Sequence, residues 1–210
     1  MKRLAVLASG RGSNLQALID AERRGELCAR IVLVVSNRRG APALERAGAA
    51  GIETDLVRLR DFPDRSDWDR ALADRLALAE VEIVALAGFG LILGPAVLGA
   101  FAGRILNVHP SLLPAFGGGR RAQADALAHG VKVSGCTVHI VDDRLDAGPI
   151  VVQRAVEVRE DDDVESLSER ILIEEHRALP EAVRLLAEGR LRVEGRRVRI
   201  LPVEVCVHGR

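Results

Sequence analysis

The chain has 210 residues, 48% apolar and only 2% aromatic, so a sizeable core is available and Ala, Leu and Val must fill it. Thirty acidic residues balance thirty basic ones, which argues against a surface that takes up nucleic acid through bulk charge. Cys28, Cys136 and Cys206 are widely spaced with no CxxC pair, so neither a zinc site nor a disulfide framework is supported, and free thiols in a reducing compartment are expected. Lys2 and Lys132 are the only lysines, a bias towards Arg that reads as compositional.

Met-Lys-Arg followed by Leu4–Ala8 starts as a signal peptide does. The apolar stretch is short, however, and runs into Ser9-Gly10-Arg11-Gly12. It reads as a first strand buried on both faces, in a cytoplasmic protein with no membrane span. A helix capped by Ser13 or Asn14 is expected to run to about Arg24. Ile31–Val35 is the next strand, Ala41–Ala50 a helix closed by Gly51, and Thr54–Val57 a short strand. Ser66–Glu80 is amphipathic, with Ala71, Leu72, Leu76 and Leu78 among its apolar positions. Ile83–Ala87 and Arg104–Val108 complete an alternation of strands and helices, the mark of a mostly parallel sheet with right-handed crossovers.

The second half changes character. Cys136–Val141 and Ile150–Val158 are β-branched runs that predict an antiparallel extension. A long helix is expected from about Val164 to Glu188, broken or kinked near Pro180. Leu191–Val193 and Val198–Leu201 flank Glu194-Gly195-Arg196-Arg197 and read as a terminal hairpin. Without an internal repeat or low-complexity linker, one domain over 1–210 is the expectation. Its nucleotide-type half spans about 1–110, its β-rich, catalytic half about 111–190, and the hairpin and tail 191–210.

Two segments carry chemistry. Ser9-Gly10-Arg11-Gly12-Ser13-Asn14 joins a strand to a helix, where free N–H groups can hold a phosphate. It is not the dinucleotide fingerprint, because Leu15 stands at the third glycine, and it lacks the P-loop lysine. The plainer reading is a tight turn with a Ser/Asn cap. Asn107-Val108-His109-Pro110 lies at a strand exit, where open α/β sheets place ligands. Residues i and i+2 of a strand point the same way, so Asn107 and His109 face one spot. An amide and an imidazole there suit acyl chemistry, in which an oxygen gains charge and an amine loses a proton. Asp146, in the turn Asp142–Pro149, supplies a carboxylate that can orient an imidazole. Alone, a histidine near a core is more often structural, and an aspartate in a turn more often stabilises the turn. His139 reads as a core residue or a support for the site, His129 and His208 as surface. No two ligands show metal spacing.

Taken together, Ser9–Ala17, Leu86-Ala87-Gly88-Phe89, Asn107–Pro114 and Leu145–Pro149 resemble, in order, the phosphoribosylglycinamide formyltransferases, folate-dependent enzymes of purine synthesis. The resemblance covers about Leu4 to Gly189. It implies a Rossmann-like α/β formyltransferase fold, a mostly parallel central sheet flanked by helices with a β-rich C-terminal extension. It implies 10-formyltetrahydrofolate as co-substrate, no metal, small-molecule partners, and a monomer or homodimer. By the family pattern, Gly12, Ser13 and Asn14 hold the phosphate of the ribonucleotide, and Glu175 contacts its ribose. His109 is the general acid, Asn107 polarises the formyl oxygen, and Asp146 orients His109. Gly90, Leu91, Ile92 and Leu93 line the folate site, with Arg65 near the folate tail.

The chain departs from that pattern at Leu91, where an arginine often helps to hold folate, and in Ala115–Gln123, a longer loop with three glycines in which Arg120 or Arg121 could assist an anion. Two other readings remain open. A 10-formyltetrahydrofolate hydrolase shares the His109–Pro114 core but usually has an N-terminal regulatory domain, whereas here the first strand starts at once. A catalytically silent nucleotide-binding module would need none of Asn107, His109 and Asp146 together.

Overall fold

The computed structural model describes residues 1–119 and 121–202, so Arg120, Cys206 and His208 lie outside the described residues. Five strands, β1 (Lys2–Leu7), β2 (Ala29–Ser36), β3 (Glu53–Leu56), β4 (Ile83–Leu86) and β5 (Ile105–His109), come first. They alternate with helices α1 (Ser13–Arg23), α2 (Pro42–Ala49), α3 (Arg65–Leu78) and α4 (Pro95–Ala100). Helix α5 (Ala122–His129), strands β6 (Val133–Ile140) and β7 (Ile150–Glu157), helix α6 (Val164–Ala187) and the hairpin β8 (Leu191–Glu194) and β9 (Arg197–Ile200) follow.

The first seven strands form one sheet in the order β3-β2-β1-β4-β5-β6-β7. Pairing is parallel from β3 through β5 and antiparallel from β5 to β7. The expected mostly parallel sheet with a β-rich extension is therefore the observed one. Strand order reverses between β1 and β4, and a reversal opens a crevice at the carboxyl ends of the strands.

Alternation along β1 explains why both faces are covered. Leu4 and Val6 pack with Leu15 and Leu18 of α1 and with Leu167, Ile171 and Leu179 of α6. Ala5 and Leu7 point the other way, onto Trp68, Leu72 and Leu76 of α3. Trp68 is fully buried, and its indole N–H donates to Val57 O at 3.0 Å, which satisfies its one polar group.

Two expectations need correction. Helix α1 starts at Ser13, with Gly12 at φ 75° as its N-cap and no side-chain cap. Ser13 and Asn14 sit inside the first turn and do not cap it. Helix α6 runs unbroken through Pro180. A buried stripe, Leu167, Ile171, Ala178, Leu179 and Ala182, holds it to the sheet across the missing N–H, and Asp163 and Ser166 cap its start reciprocally. Helix α4 is too short for a readable pattern; Pro95 opens it and a distant carboxylate caps it, as described below.

Candidate active site

The carboxyl ends of β1, β4 and β5 border a cleft of about 530 Å³. Ser9 and Gly10 contribute from the first loop, Gly88–Leu93 from the second, and Asn107, His109 and Pro110 from the third. The β6–β7 turn closes the far side with Asp142–Asp146. Asn107, His109, Asp146, Gly90, Leu91, Ile92 and Leu93 therefore share one cavity, of a size that suits a small organic ligand.

His109 ends β5 and is 6% exposed. Its Nδ1 lies 3.4 Å from Asp146 Oδ2, and its Nε2 lies 3.1 Å from Phe116 O. Both ring nitrogens thus face acceptors, and a ring that carries both protons satisfies both. Asp146 is held at φ 49°, and its Oδ2 also accepts from Gly118 N at 2.8 Å. The turn behind it is packed tightly: a Cβ on Gly148 would lie 1.9 Å from Ile140 O. Arg196, in the β8–β9 turn, donates to Ala147 O at 3.1 Å and braces the same turn from outside.

Asn107 points to the same place by a second route. His139 Nδ1 lies 3.2 Å from Ile140 O, a contact that requires its N–H. Nε2 is then the acceptor, and it meets Asn107 Nδ2 at 3.1 Å. Burial pushes His139 below its ordinary value, in keeping with that neutral ring. The bond fixes which way the Asn107 amide faces and uses one of its two N–H groups. His139 Nε2 is also 3.8 Å from Asp146 Oδ1, so one carboxylate adjoins both histidines.

The phosphate-type loop is a separate region. Gly12, Ser13, Asn14 and Glu175 are not on the wall of the cleft, which this loop enters through Ser9 and Gly10. Asn14 Nδ2 donates to Glu175 Oε2 at 2.7 Å, with both residues buried. Burial pushes the Glu175 carboxyl up, and the Asn14 bond opposes that shift. Asn14 Oδ1 is buried without a hydrogen-bond partner among the described residues. The first-turn N–H groups of α1 meet no side-chain cap.

Arg65 is exposed and off the cleft wall. Its guanidinium donates to Ile92 O and lies 5.8 Å from the centre of the Trp68 ring, so it grips the outer edge of the 90–93 segment. Two residues to which the sequence reading gave no part in this segment hold it from inside. Ser9 Oγ accepts from Gly90 N at 2.6 Å and donates to Asn37 Oδ1 at 2.5 Å. Asp69, 2% exposed on α3, accepts from Gly94 N at 2.7 Å, Ala96 N at 2.8 Å and Val97 N at 3.4 Å. A carboxylate on the apolar stripe of α3, in register with Leu72 and Leu76, is the signal that could have found it. Arg121 is exposed beside Asp125, at 3.9 Å. Among the described residues no group of three or more His, Cys, Asp or Glu could hold a metal ion, and no helix is long and apolar enough to cross a membrane.

Comparison with known proteins gives a consistent result. A family model described as "Formyl transferase" matches residues 2–183. A phosphoribosylglycinamide formyltransferase of Mycobacterium tuberculosis is 49% identical over 194 residues, covering 92% of this chain and 89% of that protein. The trifunctional purine biosynthetic protein adenosine-3 of Chironomus tentans is 48% identical over 91% of this chain, which spans only 14% of that relative's length. The crystal structure of glycinamide ribonucleotide transformylase 1 from Symbiobacterium toebii superposes with a TM-score of 0.94 at 53% identity, covering 96% of this chain and 95% of the other. With a family match that runs from β1 into the last turns of α6, and a shape shared at this level of identity, the chain belongs to the formyl transferase family.

Proposed function

We propose that the chain transfers the formyl group of 10-formyltetrahydrofolate to the amine of glycinamide ribonucleotide, a step of purine synthesis. The observation that carries this reading is the convergence of the Asn107 amide, the His109 ring and the Asp146 carboxylate on one cleft wall. The same cleft is also lined by Leu86, Phe89, Leu91, Ile92 and Leu93 beside backbone polar groups, which fits a flat heteroaromatic ring. Gly12, Ser13 and Asn14 at the start of α1 suit a phosphate, and Glu175 beside Asn14 suits a ribose hydroxyl.

The amine attacks the formyl carbon and forms a C–N bond. The carbonyl oxygen takes the negative charge, and the free N–H of Asn107 is the donor aimed at it; such a donor is worth roughly 3–4 kcal/mol. The bond to N10 of the folate then breaks. His109 delivers the proton that N10 needs, and the attacking nitrogen gives up its own, a transfer worth roughly 10²–10⁴-fold. Asp146 holds the ring in place for that delivery. Neither a metal nor a covalent enzyme intermediate enters this sequence.

A two-substrate assay with product identification tests the reading. Formylated glycinamide ribonucleotide should accumulate, and His109→Ala should reduce its rate by roughly 10²-fold or more. Folate-dependent formate release without a formylated nucleotide would identify a hydrolase, and unchanged turnover in His109→Ala would remove His109 from the chemistry.

A further inference from the structure

The hairpin β8–β9 has no part in the chemistry described so far, and the family match ends before it, at residue 183. Its base is tied to the end of α6. Leu201 N donates to Arg190 O at 2.8 Å, Arg190 Nε to Leu201 O at 2.7 Å, and Arg190 Nη1 to Glu188 Oε2 at 3.0 Å. Leu191 and Val198 pack against the core that α6 shares with the sheet. Higher up, Glu194 of β8 meets Arg199 of β9 at 2.7 Å. A ribbon fixed at one end thus carries Gly195 and Arg196 roughly 13 Å from its base. There the exposed Arg196 donates from Nη1 to Ala147 O at 3.1 Å, across 49 positions of the chain. Among the described residues this is the one hydrogen bond of the Arg196 side chain.

Ala147 follows Asp146 directly, and that aspartate sits where the chain needs outside support. Its φ of 49° lies in the left-handed region, which an L side chain enters only at a cost. Asp143, Arg144 and Leu145 before it are exposed, and Arg144 bonds back to Asp142 within the same turn. After it, Gly148 presses on Ile140, and Ile140 N donates to Pro149 O at 2.9 Å. Between these two ends, Ala147 O is gripped by Arg196 from another element altogether. The grip matters because Asp146 Oδ2 stands 3.4 Å from His109 Nδ1, at the long end of hydrogen-bond range. A few tenths of an ångström outward would end that bond. We infer that the C-terminal hairpin belongs to the catalytic apparatus: Arg196 is a positioning residue that holds Ala147, and through it the Asp146 carboxylate, against His109. The inference rests on the formyl-transfer reading above for what Asp146 does.

Steady-state kinetics of the full chain test this. Arg196→Met removes the donor and keeps the stem, and a charged donor on an exposed backbone carbonyl is worth roughly fivefold. The kcat for formyl transfer should fall about fivefold, while KM for glycinamide ribonucleotide stays within about twofold, because the Gly12–Asn14 loop is a separate region. Arg196→Lys restores a donor and should recover most of the loss. Arg192→Met, which leaves Glu194 its pair with Arg199, should have no effect. In an Asp146→Asn background, Arg196→Met should cost almost nothing further, since both changes remove one arrangement. Unchanged kcat in Arg196→Met, or a loss that multiplies in full with that of Asp146→Asn, overturns the inference while formyl transfer itself stands. If the wild type formylates nothing, the functional reading fails first, and amide hydrogen exchange decides the brace alone. Gly118 N–H, bonded to Asp146 Oδ2, and the 142–149 segment should exchange faster in Arg196→Met and at the wild-type rate in Arg196→Lys. Equal exchange in wild type and Arg196→Met overturns the brace.

Discussion

Replacing Glu175 by glutamine should make the protein more stable while weakening the nucleotide binding proposed for this residue. Glu175 is 7% exposed, and its one resolved hydrogen bond comes from Asn14 Nδ2 at 2.7 Å. The other end of that amide, Asn14 Oδ1, is buried and unpaired. Glutamine has the same shape as glutamate, so its Oε1 can keep the Asn14 bond while its Nε2 donates to Asn14 Oδ1. An unsatisfied buried acceptor costs roughly 1–3 kcal/mol, and the charge-assisted bond given up is worth roughly 1.5–3 against about 1 for each neutral bond gained. Relief of carboxylate burial adds to the gain, so the net expectation is a stabilisation of about 1 kcal/mol, or about 2–4 °C in Tm for a chain of this size.

The pH dependence is the sharper test. Because the folded value of Glu175 is raised, the native state holds this proton to higher pH than the unfolded chain does. The stability from this group is complete below the unfolded glutamate value and is lost as pH rises through the folded one. Glutamine has no such loss, so thermal unfolding followed from about pH 4 to about pH 8 should show the gap between variant and wild type widening. A gap that does not change with pH, or a variant less stable at neutral pH, would refute the reasoning. In the transfer assay, the KM for glycinamide ribonucleotide should rise roughly tenfold or more, since an amide replaces a charged acceptor.

Asp69→Ala should cost roughly 2–3 kcal/mol in urea denaturation, because Gly94, Ala96 and Val97 lose the carboxylate that caps α4. It should also raise the KM for the folate co-substrate through the loosened 90–93 segment. Gly148→Ala should yield insoluble or unfolded protein on expression, since its Cβ would lie 1.9 Å from Ile140 O and the β6–β7 turn must shift away from β6. His139 is held below its ordinary value of 6.5, so the unfolded chain takes up the proton first as pH falls. Its stability contribution is complete above about pH 6.5 and drains below it. His139→Phe should therefore flatten the acid side of the stability profile, read from urea midpoints, while lowering kcat because the Asn107 amide loses its partner.

What the sequence made legible follows from the range of the interaction involved. The buried strands were readable because Leu4–Leu7 and Ile83–Leu86 are apolar on both faces, a pattern fixed within a few residues. Asn107 and His109 were readable together because strand geometry alone puts i and i+2 on one side. Asp69 was not, since its task concerns N–H groups that lie 25 to 28 positions away along the chain. The break expected at Pro180 failed for the opposite reason. A local rule was outweighed by the length of the buried face that α6 lays on the sheet. The bond from His139 to Asn107 depends on the register that pairs those two residues across β5 and β6, which no local pattern specifies.

The loop after Pro114 shows how a segment can depart from family resemblance and still serve the site. Phe116 and Gly118 reach His109 and Asp146 through a carbonyl oxygen and an amide N–H, so the contacts belong to the main chain. Side-chain identity is free to drift there, provided the backbone keeps its path. That path puts Phe116 at φ 56° and Gly118 at φ 76°, both in the left-handed region. Glycine takes up that region without penalty, so a run of glycines is one sequence solution to presenting two backbone groups to an imidazole and a carboxylate. The demand on the loop is conformational rather than chemical, and for that reason comparison of its residues with a family pattern underestimates its part in orienting His109.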